Sequence, residues 1–419
     1  MNGLFCLINV RIIFQCFSLG SFYAIIPCYD KNITQGIFNT GDVGMTTYKP
    51  YGIKELQDLL QQAKEQHLPI LTRHQRQEGV GIDFQNWNKI REIDVANLTV
   101  TAERAVTLGE LEEAVRQKGL HVAAMTDDLW TVSLGDFFAE QMVCLTSLRY
   151  TQPRFQVLGL EVLLADGTVL SVAGKTVKNV TGYDMCRFYI SNRETLAIPL
   201  VFTLKLVSLE PVQVMLEANM TEEATLMELV RGLREHCVTP QVCLYWNRLA
   251  ARALQPAEEQ SKLILVCNGS EERVKRELQA ISDLAEALQI GLQICQHPET
   301  IWRDIKTLRS RTVWGDGLKV PSLQCGVMLK QLAEQRIGCW YVPLQGTLQL
   351  LPAQADGALY QRLCQQAELL GGCGNWYYQY QYGLAPAGQD AIWLQLKNQF
   401  DTDGRFNPVQ KEGVQNGEN

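Results

Sequence analysis

Hydrophobic residues recur along the chain at two spacings, one typical of helices and one typical of strands. From residue 53 to residue 65 they fall three and four positions apart, which predicts a helix whose buried face is formed by Ile53, Leu56, Leu59, Leu60 and Ala63. Short apolar runs over 68–72, 89–94 and 98–102 predict strands. The first part of the chain therefore mixes helices with strands.

A capping box marks the start of the next helix. Thr107 and Glu110 have the separation at which each side chain bonds the backbone N–H of the other residue. Beyond that helix, the segments 157–164 and 168–172 predict two strands joined by a tight turn, and 201–207 predicts another strand.

The pattern changes at Glu210 and Pro211. Beyond this point strands alternate with helices, the strands being predicted over 242–246, 263–267 and 347–351 and the helices over 222–234, 271–288 and 359–370. Such alternation predicts an α+β sandwich with its helices on one face of an antiparallel sheet.

The size and charge of the chain narrow the range of functions. Its 419 residues, of which 46% are hydrophobic, suit two globular domains and exclude a small disulfide-stapled scaffold. A mean hydropathy of −0.08 excludes a polytopic membrane protein. The formal net charge of −7 gives no general attraction to a phosphate backbone, so nucleic acid is not an expected partner.

Residues 1–44 precede the predicted domains. The segment 3–28 is apolar enough to suggest a membrane span, but Arg11 would place a charge near its middle. Met45 opens a polar lead-in typical of the start of a domain. We expect 1–44 to be an upstream extension or a misassigned start, with membrane contact only if 3–28 is a true anchor.

The cysteines and histidines form no metal motif. Thirteen cysteines match no C-x-x-C pair and five histidines show no H-x-x-x-H pairing, so neither a metal site nor an iron–sulfur cluster is predicted. Cysteines such as Cys144 and Cys267 lie in apolar runs, where a thiol behaves as a small buried hydrophobe. Free thiols indicate a reducing compartment, so we expect a cytoplasmic protein, peripheral to a membrane if its N-terminal segment is an anchor.

The run 174–188 concentrates charged and hydrogen-bonding groups around one glycine, where a backbone can approach a ligand closely. Its candidate ligand-binding residues are Lys178, Asn179, Gly182, Tyr183 and Asp184. The spacing alone leaves two interpretations open, a ligand-facing loop or a solvated polar loop.

Together with neighbouring and distant segments, this run resembles the FAD-linked oxidases of the p-cresol methylhydroxylase/vanillyl-alcohol oxidase type. The similarity extends over 157–168 and 203–206, over the strand and helix of 98–111, and over the C-terminal segment 396–408. These matches keep the family order from about residue 45 to residue 410. Within this family, the chain resembles the second, FAD-binding subunit of glycolate oxidases.

The resemblance implies an α+β fold, in which a two-lobed FAD-binding domain of the p-cresol methylhydroxylase (PCMH) type carries an inserted α+β cap domain. The FAD-binding domain would cover 45–210 and the cap 211–345. A C-terminal segment, 346–411, would return to the flavin domain ahead of a tail at 412–419. The implied cofactor is FAD, and we expect it to bind noncovalently because no histidine has a clear attachment context.

Three glycine-dependent contacts of the family are altered in this chain. At the first phosphate loop the chain has Arg73 and Arg76, which we expect to neutralise a phosphate directly. At the second, relatives have Thr-Leu-Gly-Gly, where this chain has Ser133, Leu, Gly135 and an aspartate. At the third, Glu194 stands where relatives have a glycine, and a proline five residues later has no N–H to donate.

The resemblance thus implies a set of cofactor-binding residues, namely Arg73, Arg76, Ser133, Gly135, Lys178, Asn179, Gly182, Tyr183, Asp184 and, in the C-terminal signature, Asn407. Two functions are compatible with it. In the first, the chain is an FAD-dependent oxidoreductase subunit that oxidises a small 2-hydroxy acid such as glycolate or lactate, with a larger flavin subunit and an iron–sulfur subunit as partners. In the second, it is a non-catalytic interaction subunit that retains the flavin fold with a degenerate FAD site.

Overall fold

The computed structural model describes residues 45–72, 78–173, 184–190, 192–220, 223–353, 356–374 and 389–408. The predicted N-terminal extension, 1–44, lies outside these ranges. Within them, no helix combines the length and the apolar character needed to cross a membrane.

The described chain begins with a small parallel sheet, in which β3 (Gly79–Ile82) lies between β1 (Met45–Tyr48) and β2 (Ile70–Leu71). Helix α1 (Ile53–Glu65) follows the predicted range and buries four of the five expected apolar residues. The fifth, Ile53, lies in the first turn and is exposed. This sheet and helix form the first lobe.

The second lobe is a six-stranded sheet. Its strands are β4 (Ile90–Asp94), β5 (Thr99–Glu103), β6 (Leu120–Val122), β7 (Val157–Leu163), β8 (Val169–Ala173) and β9 (Ile198–Ser208), in the order β4-β5-β9-β7-β8 with β6 also on β9. Its helices are α2 (Leu108–Arg116), α3 (Leu134–Ala139), α4 (Ser147–Tyr150) and α5 (Met185–Ile190). The capping box predicted at Thr107 and Glu110 is confirmed. The long, largely apolar β9 pairs with β5, β6 and β7 and so organises this lobe.

The rest of the chain builds a seven-stranded antiparallel sheet. Its strands are β10 (Val212–Met220), β11 (Val242–Trp246), β12 (Ser261–Gly269), β13 (Gln293–Ile294), β14 (Val313–Lys319), β15 (Gly338–Val342) and β16 (Thr347–Leu351), in the order β13-β10-β12-β11-β15-β16-β14. One face packs on α6 (Glu223–Glu235), α8 (Glu271–Ala287), α10 (Cys325–Glu334) and α11 (Gly357–Leu369).

Helices also cover the opposite face of this cap sheet, which corrects the prediction of helices on one face only. Tyr245 packs toward the first set of helices, whereas Leu244 and Trp246 pack toward α7 (Arg248–Leu254) and α9 (Pro298–Arg311). Every residue of β11 is buried. A strand that is apolar on both faces needs cover on both sides.

The end of the cap differs from the expected boundary at residue 345. That position lies in the turn between β15 and β16, two neighbouring strands of the seven-stranded sheet, and α11 contributes Tyr360 and Leu363 to the same core. The return to the second lobe is made by α12 (Gln389–Phe400) and the residues after it. Phe400 packs against Phe188, with ring centroids 5.2 Å apart.

Candidate functional site

A buried ion pair joins three segments that are far apart in sequence. Thr72 follows β2, Arg104 follows β5, and Glu194 precedes β9. The Glu194 carboxylate accepts a hydrogen bond of 2.5 Å from the Thr72 hydroxyl and pairs with the Arg104 guanidinium at 2.9 Å. The side chains of Arg104 and Glu194 are 4% and 3% exposed. We call these three residues the buried ion-pair cluster.

Arg104 is held in place on several sides. Its guanidinium lies over the ring of Phe84, 4.0 Å from the centroid, and donates a hydrogen bond of 2.9 Å to the carbonyl of Pro199. A guanidinium desolvated on an aromatic face and fixed by a carboxylate has little freedom left. Arg104 is therefore an ordered part of the interior.

The Arg104 guanidinium lies against Gly135. A Cβ atom at this position would come 2.9 Å from Nε of Arg104 and 3.0 Å from its nearer terminal nitrogen. The glycine therefore makes room for an arginine of the same chain. This is the glycine that the family resemblance assigns to the second phosphate loop.

The backbone amides at the start of α3 are also used internally. The N–H groups of Leu134 and Gly135 donate to the carbonyls of Val106 and Arg104, at 2.9 and 2.8 Å. The N–H of Asp136 donates to the Ser133 hydroxyl at 3.1 Å, and this hydroxyl donates in turn to the Asp136 carboxylate at 2.7 Å. The amides that anions usually find at a helix N-terminus already have partners here.

Glu194 adopts a backbone conformation that favours glycine. Its φ is +59°, and its neighbour Arg193 has a φ of +53°. A non-glycine residue held in this region costs roughly 1–3 kcal/mol and persists only where the surrounding structure compensates. At Glu194 the ion pair with Arg104 supplies that compensation.

Asn407, expected to contact the cofactor, is wholly buried behind the cluster. Its amide donates to the Thr72 hydroxyl at 2.8 Å and to the Glu194 carbonyl at 2.9 Å, while its carbonyl accepts from the Thr72 N–H at 3.0 Å. All three polar contacts are made within the chain. Asn407 thus ties the C-terminal segment to Glu194, the ion-pair partner of Arg104, and to Thr72, which bonds the Glu194 carboxylate.

Lys397 fastens the same segment from α12. Its ammonium donates to the carbonyl of Thr195, to the Asp401 carboxylate at 2.6 Å and to the carbonyl of Phe406 at 2.7 Å. Burial lowers the pKa of Lys397, although the charge of Asp401 acts in the opposite direction. These bonds fix the loop on which Glu194 lies.

The structure describes four of the ten expected cofactor-binding residues. Gly135 and Asn407 contact the buried ion-pair cluster, and Ser133 caps α3 beside it. Asp184 lies elsewhere: it is half-exposed, accepts from the Arg187 N–H at 3.0 Å and pairs with the Arg187 guanidinium at 2.8 Å. The other six lie outside the described residues, namely Arg73, Arg76, Lys178, Asn179, Gly182 and Tyr183. Their roles remain predictions.

Sequence reasoning missed Arg104. The replacement of a glycine by Glu194 was visible, and a buried carboxylate requires a cation nearby. Arg104 lies two residues beyond the predicted strand 98–102, but its position along the chain does not mark it as that cation. Only the pairing of β5 with β9 brings the two residues together.

Among the described residues, no cluster of three or more His, Cys, Asp or Glu side chains has the geometry to hold a metal ion. The ten cysteines in these ranges are free, and eight of them are buried. Burial raises the pKa of Cys186 to about 11 and that of Cys325 to about 12, as expected for packing residues.

Comparison with known proteins identifies the domain. Residues 47–173 match the FAD binding domain family. The chain is related to FAD-linked oxidoreductases. It is 31% identical to glycolate oxidase subunit GlcD of Bacillus subtilis over 168 residues, covering 38% of this chain and 36% of that protein. It is 28% identical to D-lactate dehydrogenase of Archaeoglobus fulgidus over 172 residues, covering 38% of each chain. The alignments with these two relatives thus cover little more than a third of the length of each relative.

The fold is that of the p-cresol methylhydroxylase type. Substrate-bound p-cresol methylhydroxylase superimposes with a TM-score of 0.68 at 15% identity, covering 86% of this chain and 88% of the other. 4-Ethylphenol oxidase from Gulosibacter chungangensis gives a TM-score of 0.66 at 15% identity, covering 90% and 91%. The α+β architecture with a second domain is confirmed by these superpositions.

FAD is the cofactor of this domain type, and the described residues can be tested against its diphosphate. Two of the segments that the family resemblance assigns to phosphate loops meet at the buried ion-pair cluster, where Arg104 fills the space over Gly135 and the amides of α3 are occupied. The Glu194 carboxylate would repel a diphosphate. In the described conformation these residues do not fit the group.

Proposed function

We propose that this chain is a flavin-domain subunit of an oxidoreductase that oxidises a small 2-hydroxy acid, such as glycolate or lactate, and passes the electrons to a partner. The observation that carries the proposal is the match of residues 47–173 to the FAD binding domain family, in a segment related to a glycolate oxidase subunit and a D-lactate dehydrogenase. Both named substrates are 2-hydroxy acids, and this shared chemistry defines the substrate class.

We further propose a larger flavin subunit and an iron–sulfur subunit as partners, and a cytoplasmic location. These partners are the ones that the resemblance to glycolate oxidase subunits implies. The free, mostly buried thiols in these ranges suit a reducing compartment.

A second function is favoured by the buried ion-pair cluster. Because the Glu194 carboxylate takes up the Arg104 guanidinium and Arg104 lies over Gly135, the same fold would also serve as a non-catalytic subunit that supports a complex. This alternative keeps the scaffold and gives up the cofactor.

Anaerobic reduction of bound flavin separates the two functions. The full-length protein is incubated with FAD, desalted and mixed with glycolate or D-lactate in the absence of oxygen. The oxidoreductase proposal predicts a flavin spectrum that bleaches with one of these acids and not with acetate, which lacks the hydroxyl. Protein that remains colourless after incubation with FAD supports the interaction subunit and contradicts the enzyme.

A further inference from the structure

The buried ion-pair cluster resembles an anion-binding site. The anion in it is the carboxylate of Glu194, a residue of the same chain. The Glu194 carboxylate receives the Arg104 guanidinium and the Thr72 hydroxyl, at 2.9 and 2.5 Å. A phosphate oxygen would accept the same two donors. The carboxylate therefore takes up two donors that would otherwise be free to bind a phosphate.

The surroundings of Arg104 favour the same interpretation. Gly135 leaves a bare surface against which the guanidinium lies, and Phe84 backs its other side. One terminal nitrogen of the guanidinium donates a hydrogen bond to the carbonyl of Pro199. The remaining terminal nitrogen is the one that contacts Glu194.

We propose that Glu194 is an intramolecular competitor of the FAD diphosphate for Arg104. FAD gains its diphosphate contact only when the Arg104 guanidinium leaves the carboxylate, so the ion pair sets the affinity of the chain for the cofactor. The inference uses the FAD binding domain but does not depend on the substrate or on turnover.

The backbone at residue 194 makes Glu194→Gly the informative variant. Glycine adopts a φ of +59° without steric cost, so the substitution relieves the backbone while it removes the competitor. Arg104 then lacks its carboxylate and is available to an anion. We expect Glu194→Gly to bind FAD at least about tenfold more tightly than the wild type, since a hydrogen bond between charged groups is worth this much.

Titration of the purified full-length protein with FAD, ADP or riboflavin shows which part of the cofactor accounts for the higher affinity of Glu194→Gly. FAD and ADP contain the diphosphate, and riboflavin does not. We expect the affinity gain of Glu194→Gly with FAD and with ADP and no gain with riboflavin. A gain that also appears with riboflavin would show that the variant opens the flavin end, and would overturn the proposal.

Two further variants complete the test. Arg193→Gly changes the neighbouring residue, which is also buried and has a positive φ, and we expect it to leave ADP affinity unchanged. The double variant Arg104→Ala/Glu194→Gly removes both charges, and we expect it to lose the gain of the single variant. If the double variant keeps the gain, or if Arg193→Gly shows it, Arg104 is not the anion's partner.

Glu194→Gln keeps the proposal testable if the glycine variant does not fold. The amide retains the size of the side chain and removes only its charge, so we expect ADP to bind severalfold more tightly than to the wild type. Thermal unfolding of each variant establishes that the folded protein is titrated. Equal ADP affinity in Glu194→Gln and in the wild type would overturn the proposal.

Discussion

Glu112 shows how a buried carboxylate is stabilised away from the flavin site. It is fully buried on α2, where it accepts hydrogen bonds from Nδ1 of His121 at 2.7 Å and from the N–H of Val122 at 2.9 Å, and it pairs with Arg116. Burial alone would raise the pKa of Glu112. The bond from His121 and the nearby positive charges outweigh burial, so the pKa lies below its ordinary value of 4.5.

This pKa predicts a pH dependence of stability. A carboxyl group whose pKa is lowered by folding contributes stability that is fully present above pH 4.5 and is lost as the pH falls through the lowered value. We expect Glu112→Gln to reduce the free energy of unfolding by about 1–3 kcal/mol at pH 7. The difference from the wild type should shrink as the pH falls below 4.5.

Urea unfolding at several pH values checks this prediction, with Glu113→Gln as the matched control on the exposed side of the same helix. A stability difference between the wild type and Glu112→Gln that stays constant down to pH 3 would contradict the stabilised carboxylate.

For single residues, the sequence shows where the chain departs from the family motif, but it does not show which side chains the altered residues contact. Glu194 and Gly135 are recognisable from the motif, but their shared partner, Arg104, is not. Partner choice depends on which strands pair, and the pairing of β5 with β9 joins residues about a hundred positions apart. Spacing along the chain contains no such information.

At the scale of elements, local patterns predict most helices and strands. The apolar face of α1 and the capping box of α2 follow from side chains within one or two turns. The sequence does not predict the second helical layer of the cap, because β11 is one short run of apolar residues. Such a run does not show what covers each face of the strand.

Helix α12 provides an element-scale prediction. Asp401 is fully buried, and Lys397 is its ion-pair partner one turn away. Lys397→Ala would leave this carboxylate buried without its cation, so we expect the free energy of unfolding to fall by about 3–5 kcal/mol. Thermal or urea unfolding measures the loss. The exposed Lys64 at the end of α1 gives the control Lys64→Ala, which should change stability by less than about 0.5 kcal/mol. Equal, small effects of the two substitutions would contradict the anchoring role of Lys397.

At the scale of the whole molecule, the cap and the flavin domain are joined by a buried ion pair. Arg309 on α9 donates to the Asp128 carboxylate through Nε at 2.8 Å and through a terminal nitrogen at 2.5 Å, and to the carbonyl of Val143 at 2.8 Å. Asp128 is wholly enclosed, and its segment belongs to the flavin domain. This contact is one of several that fix the cap on the second lobe, together with the bond from Lys306 to Thr131.

Loss of the contact should loosen the cap selectively. We expect Arg309→Ala to destabilise the protein by about 3–5 kcal/mol, because the Asp128 charge stays buried. Hydrogen exchange should rise in 127–129 and in α9 before it rises in β9. The exposed Arg303 on the same helix supplies the control Arg303→Ala, for which exchange should remain as in the wild type. Uniform acceleration across both domains in Arg309→Ala would contradict a local joint.

The architecture as a whole was predictable through the family resemblance and not from periodicity. Alternating elements indicate a mixed α and β chain, whereas a cap inserted into a two-lobed domain requires the return of the C-terminal segment. That return depends on contacts such as the pairing of Ile70 with Phe406, which link the two ends of the described chain. Local patterns contain no signal for them.

A crystal structure of the full-length protein grown with FAD tests the central claim most directly. We expect a phosphate group of FAD in contact with the Arg104 guanidinium, in the position that the Glu194 carboxylate now holds, and the carboxylate displaced from it. A structure with FAD bound and the Arg104–Glu194 pair intact at 2.9 Å would contradict the account.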